Sequence, residues 1–279
     1  MTHIERHSDP HTFAAALTAW LGEQYWTHNQ LYTMALRITP ALCAERQVHF
    51  YLLKRAGQTL GAALVSGVIP TRTLFMTDLD HDAIDCLRSA LRDDDVLLTD
   101  VIGPQGYAES FAAVWGEFEP RVALGNHRLM TEPVSTGAAG YLRAATDADE
   151  ALLARWFLAF CEECDMSETA AGALGRVAGW LQTNPPMVWI WEVDHQAAAF
   201  CVTSPHAPLA RIGPVYTTPE QRGRGYAGAM VAAASAHLQA SGIRDVFLYT
   251  DLANPISNSV YQRIGFAQIS QHTHLDLVS

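Results

Sequence analysis

The chemistry-bearing residues of this 279-residue chain concentrate in Arg222-Gly223-Arg224-Gly225-Tyr226-Ala227-Gly228. Gly223 and Gly225 allow a tight turn and a close approach of backbone to an anion. The apolar spacing from Gly225 to Ser241 predicts a helix with Ala227, Val231, Ala234 and Leu238 on one face. Its free N–H groups and positive dipole end would then point at the same anion. Arg222 and Arg224 add charge. The stretch is suited to holding a phosphate or pyrophosphate.

Two kinds of ligand fit such a loop. Read as Gly223-x-Gly225-x-x-Gly228, with Asp251 after a second apolar strand, it matches a dinucleotide fingerprint and an oxidoreductase. That fingerprint puts its first glycine at the strand end, whereas Thr218-Pro219-Glu220-Gln221-Arg222 intervene here. Read as Arg222-x-x-Gly225-x-Ala227, the loop resembles the acyl-CoA pyrophosphate loop of the GNAT N-acetyltransferase superfamily. The resemblance is specific over Tyr141 to Leu277 and takes in Gly213-Pro214-Val215-Tyr216-Thr217, Val246 to Thr250, and Asn254 to Phe266. It is closest to bacterial two-domain GNAT proteins with Val-Tyr-Thr, Arg-Gly-Arg-Gly-Tyr-Ala and Asn-Pro-x-Ser-Asn patterns.

The resemblance implies acetyl-CoA as cosubstrate and direct transfer of its acetyl group to a small-molecule or peptide amine. It assigns the pyrophosphate to Arg222, Gly223, Arg224, Gly225, Tyr226 and Ala227, and the pantetheine arm and thioester carbonyl to Val215, Tyr216 and Thr217. Asn254 and Ser257 would face the cofactor, Asn254 serving as helix cap alone or in both roles. Tyr261 would protonate the leaving thiolate. The implied fold splays two central strands apart to admit the pantetheine. Gly213 and Pro214 supply a reason, because Pro214 cannot donate a ladder hydrogen bond and Gly213 permits a bulge.

These residues need positioning, and the element order indicates how. Around Thr12–Tyr25 and on to about Leu36 the chain reads as helical or irregular. Val48–Leu53 and Leu60–Ser66 form a hairpin, Leu74–Thr77 a strand, His81–Leu91 a helix, and Val96–Ile102 a strand. A helix from Gln105 to Phe118 and a strand from Arg121 to Thr131 follow. The second half repeats that order. Thr146 caps a helix running to Cys164, and Ser167–Gln182 makes another. Val188–Val193 and Ala197–Thr203 form a hairpin before the strand, phosphate loop and helix, and a fifth strand, a last helix and a terminal strand complete the half. The expected fold is α/β, with two tandem GNAT-fold domains at 1–135 and 141–279, each a mixed sheet flanked by helices. Matching Ile102-Gly103-Pro104 to Ile212-Gly213-Pro214 makes the first half a degenerate copy. It passes to Gln105-Gly106-Tyr107-Ala108 without arginine and should not bind pyrophosphate.

Composition sets the outer bounds. Hydrophobic residues at 49% against 17% charged indicate folded domains. A net charge of −11 argues against nucleic acid, and either suits a cationic amine or serves solubility. No apolar run suggests a membrane span, and Met1–Pro10 is polar, so a cytoplasmic protein is expected. Five cysteines suggest a reducing compartment. Cys161-x-x-Cys164 lies within a helix and lacks a second pair for zinc, so no metal is expected.

Transfer also needs a base for the acceptor amine. Glu192, Asp251, Glu162, Glu163 or a held water are candidates, and no carboxylate stands on Arg211–Thr217. A non-catalytic acyl-CoA sensor is therefore an alternative, one that binds CoA without acceptor-dependent thiol release.

Overall fold

The computed structural model describes residues 1–67 and 71–278. In chain order the strands and helices are β1 Thr2–His7, α1 Pro10–Leu21, α2 Asn29–Arg37, α3 Pro40–Arg46, β2 His49–Arg55, β3 Gln58–Ser66, β4 Thr73–Met76, α4 His81–Asp93, β5 Asp100–Pro104, α5 Gln105–Trp115 and β6 Glu117–Leu129. The second half contributes β7 Tyr141–Ala144, α6 Glu150–Glu163, α7 Ala170–Leu181, β8 Val188–Val193, β9 Gln196–His206, β10 Leu209–Thr217, α8 Tyr226–Ala240, β11 Asp245–Asp251, α9 Pro255–Ile264 and β12 Phe266–Val278. Contacts divide the chain into two units. The first holds Met1–Asn126, Asp251–Ala253 and the residues from Ile269 onward; the second holds His127–Thr250 and Asn254–Gln268.

In the first unit the strand order is β1-β2-β3-β4-β5-β12. The β2–β3 hairpin turns on Ala56 and Gly57, both with positive φ (51° and 80°), as a two-residue turn requires in order to follow the strand twist. From β4 the chain crosses over through α4 to β5, which pairs with β4 in parallel. Asp80 starts α4 by accepting from the N–H of Ala83. Val101, Ala108, Phe111 and Leu275 close a core with Leu74, Ile84 and Leu87. Leu275 comes from the far end of the sequence, on β12, whose Leu275 lies opposite Val101.

In the second unit β11, β10, β9, β8 and β7 follow one another in order. The β8–β9 hairpin turns on Asp194 and His195, again both at positive φ. Helix α8 is buried over most of its circumference, with Met230, Val231, Ala234 and Leu238 packed against Ile212, Val246 and Leu248. A helix covered this widely favours small side chains, and α8 is largely alanine. A second cluster places Phe157 of α6 and Val177 of α7 with Ile190 and Phe200.

The two units share one order: strand, helices, hairpin, strand, crossover helix, parallel strand, helix. That order corrects the alignment based on Ile-Gly-Pro. Ile102-Gly103-Pro104 ends β5, the strand after the crossover, whereas Ile212-Gly213-Pro214 lies in β10, the strand before it. The first-unit counterpart of the phosphate loop is therefore the β4–α4 connection, Thr77-Asp78-Leu79-Asp80. It has neither arginine nor glycine, and it carries two carboxylates. Other differences are local. The polar segment Thr2–His7 is a strand because the hydrogen-bonding edge of β2 holds it from Thr2↔Arg55 to His7↔Phe50. Helix α5 stops at Trp115, and Gly116 begins the turn into β6.

Because Leu275 is 1% exposed within the first-unit core, Leu275→Ala should cost about 2–5 kcal/mol. Urea unfolding would measure the loss, and hydrogen exchange should place the added opening in β4 and β5.

Candidate functional site

The second unit's sheet opens between β10 and β11. β10 and β11 pair in parallel from Leu209↔Asp245 to Ile212↔Leu248 and no further, although β10 continues to Thr217 and β11 to Asp251. On the other side the β9 register jumps from Ile212↔Thr203 to Val215↔Cys201. Gly213, at φ 151°, and Pro214, which has no N–H, occupy the jump. Val215–Thr217 therefore keep β9 on one side and have no strand partner on the β11 side. Thr217 Oγ1 is buried there without a hydrogen-bond partner among the described residues.

The loop that follows is shaped by Gly223 and Gly225, at φ 76° and 79°. Gly225 caps α8 in the left-handed conformation and brings no side chain to the helix N-terminus. The first recorded backbone bond there runs from Ala229 N–H to Gly225 C=O. The N–H groups of Gly223, Arg224, Gly225, Tyr226, Ala227 and Gly228 have no acceptor among the described residues. Six successive donors are thus left in a mostly exposed loop, where the helix dipole adds to them. Thr136 presses on this turn from outside, and a Cβ on Gly228 would lie 2.9 Å from Thr136 Cγ2.

The two arginines have different surroundings. Arg222 is turned back onto the strand. It donates from Nε to the Thr217 carbonyl at 3.0 Å and from one terminal nitrogen to both Glu163 oxygens at 2.6 and 2.7 Å, and it lies 5.6 Å from the Tyr216 ring centroid. Arg224 is exposed and has no carboxylate partner among the described residues. Arg222 thus fastens the loop to β10 and α6, and Arg224 carries the unpaired charge.

Helix α9 begins on Asn254, whose side chain accepts from the N–H of Ser257 at 3.0 Å. Pro255 takes the first helical position. Tyr261, nearly two turns further along, is 8% exposed among Ile264, Phe266 and Cys201. Burial, reinforced by the Cys201 thiol, raises the Tyr261 phenol above its ordinary value, so it stays protonated through the neutral range. Burial pushes the Cys201 thiol up to about 12, which removes it as a nucleophile.

The candidate bases mostly have other partners. Glu192 accepts from the Tyr141 hydroxyl and pairs with Arg143, which also holds Asp149 through two nitrogens at 2.8 Å. Those bonds keep the Glu192 carboxyl below its usual range. Glu163 holds Arg222, and Asp251 accepts from the N–H of Ala253 at 2.8 Å. In the cysteine pair, Cys161 is buried and Cys164 exposed. Among the described residues no helix is long and apolar enough to cross a membrane. The link from Glu163 to Arg222 and the contact of Tyr261 with Cys201 join positions far apart in sequence, and no local pattern announces either.

Residues 151–266 match the model of the Acetyltransferase (GNAT) family. The mycothiol acetyltransferase of Renibacterium salmoninarum is 31% identical over 169 residues, which cover 57% of this chain and 49% of that protein. The chain thus spans about half of that relative's length, and the mycothiol acetyltransferase of Paenarthrobacter aurescens matches over only 20% of its own. Among solved structures, a tandem GNAT protein from the clavulanic acid biosynthesis pathway superposes with a TM-score of 0.64 at 14% identity, covering 99% of this chain and 98% of that one. A GCN5-related N-acetyltransferase from Sphaerobacter thermophilus gives 0.63 at 15%, covering 98% and 94%. At such identities the likeness is one of fold.

The Arg143 cluster has a pH signature. Asp149 is held down to about 2, first by its hydrogen bonds to Arg143, and its side chain is 12% exposed. Its contribution to stability is complete above the unfolded carboxyl value, about 4, and is lost as pH falls toward 2. Asp149→Asn should cost about 2 kcal/mol at pH 7, and urea unfolding at stepped pH should show the gap from the parent closing between pH 4 and pH 2.

Proposed function

From a chain that carries a GNAT acetyltransferase domain over residues 151–266 and the tandem GNAT fold along its length, we propose an acetyl-CoA-dependent N-acetyltransferase. The observation that carries this reading is the edge of Val215–Thr217, unpaired on the β11 side among the described residues, followed after Thr218–Arg222 by the six N–H groups of Gly223–Gly228 that have no acceptor there. An extended chain with amides along its length and a pyrophosphate at its end complements both. The pantetheine arm would line the β10 edge in place of the missing strand pairing, with Asn254 and Ser257 at the start of α9 beside it. The diphosphate would sit on the loop N–H groups with Arg224 as its charge partner.

In the reaction the acceptor's neutral amine attacks the thioester carbonyl carbon. Negative charge gathers on the carbonyl oxygen, which main-chain N–H groups around Val215 stabilise. The C–S bond then breaks, and the Tyr261 hydroxyl gives its proton to the departing sulfur. The amine's proton leaves to water, because Glu192 and Glu163 are held by arginines, and solvent returns a proton to the Tyr261 phenolate. Arg222 keeps the loop in register with β10 and acts by positioning. The first half, with Asp78 and Asp80 where a phosphate would sit, contributes no second acyl-CoA site. A cytoplasmic setting and a small-molecule or peptide amine acceptor complete the proposal, and the relatives' name makes a mycothiol-related amine the first acceptor to assay.

Calorimetric titration of the full chain with acetyl-CoA should show one-site binding, weakened roughly tenfold or more by Arg224→Ala through loss of a charge-assisted contact. Absence of binding would overturn the reading. Tyr261→Phe should slow acceptor-dependent thiol release by roughly tenfold or more and leave acetyl-CoA affinity unchanged. Tight binding without thiol release for any amine would make the protein a sensor instead.

A further inference from the structure

The first unit contains a cavity of about 330 Å³ for which acyl transfer has no use. Its walls include Trp20 and Gln24 from the end of α1 and beyond, His28 before α2, Asp78 after β4, Tyr107 of α5 and His272 of β12, all within the first unit. A smaller enclosed cavity of about 10 Å³ shares His28 and His272, enough for about one water-sized group.

The lining has a consistent chemistry. His28 is 8% exposed. Its Nε2 lies 2.7 Å from Asp78 Oδ1, and its ring stacks on the Trp20 indole at 6.2 Å and 14°. Its Nδ1 is buried and has no partner among the described residues. Asp78 is 51% exposed at its side chain, and the Tyr107 ring is 43% exposed. Among the described residues no lysine or arginine lines either cavity. A carboxylate and two aromatic rings are met by a ligand that is cationic and carries an apolar body, whereas the carboxylate repels phosphates.

We propose that this cavity binds a small primary ammonium compound with an apolar body of about aromatic-ring size, its nitrogen held by the exposed Asp78 carboxylate and its body against Trp20 and Tyr107. The site goes beyond the acyl-transfer reading and requires neither acetyl-CoA nor turnover. 2-Phenylethylamine is a suitable probe, and 2-phenylethanol is its uncharged counterpart.

Calorimetric titration of the full chain, without acetyl-CoA, should show saturable binding of the amine that weakens at least roughly tenfold in Asp78→Asn and is undetectable for the alcohol. Trp20→Ala should weaken it as well, which keeps the test decisive if Asp78→Asn melts at a much lower temperature than the parent. The proposal is overturned if the amine does not bind, if amine and alcohol bind alike, or if binding survives both substitutions, since the amine would then sit elsewhere.

Discussion

Pro214 has no N–H, and the sheet of the second unit cannot run evenly past it. Parallel pairing between β10 and β11 ends two residues earlier, and the β9 register jumps at the same point. Much of the candidate site follows from this local failure. An even ladder would consume the main-chain groups of Val215–Thr217; an interrupted one leaves an edge against which an amide-bearing chain can lie. The helix cap repeats the logic. With glycine in place of serine or aspartate at the start of α8, no side chain competes for the first-turn N–H groups. The site is therefore largely one of backbone donors left unspent, and the side chains around it mainly hold that backbone in place.

The two units show how far one topology can diverge in chemistry. Each has a crossover helix joining two parallel strands. In the second unit the connection into that helix contains two glycines at positive φ and an exposed arginine without a carboxylate partner among the described residues. In the first it contains Asp78, which pairs with His28, and Asp80, which caps α4 and meets Arg55 at 2.8 Å. The two short segments are thus opposite in charge, while the cores beneath are both apolar.

Legibility in the sequence followed the range of the interactions. The glycine turn before α8, the break at Gly213-Pro214, the Asn254 cap and both hairpins depend on residues within a few positions of each other, and each lies where its pattern indicated. Thr2–His7 was illegible because its polar residues form a strand only when β2 offers an edge. The match of Ile102-Gly103-Pro104 with Ile212-Gly213-Pro214 misled because three residues can recur without structural equivalence. The pairing of Arg222 with Glu163 was not legible, because only the fold brings Glu163 within 2.7 Å of it. The engagement of Glu192 by Arg143 and Tyr141 depends likewise on β7 lying beside β8.

The placement of β12 bears on how the protein is made. Strand β5 takes its outer neighbour from His272–Asp276, and the first-unit core is sealed by Leu275 from the same segment. Synthesis proceeds from the N-terminus at roughly 5–20 residues per second. The first unit must therefore wait, with β5 paired to β4 on one side only, until His272–Asp276 have been made. During that interval the waiting edge is open to any other strand, so nascent chains crowded on one messenger are where mispairing between copies would start.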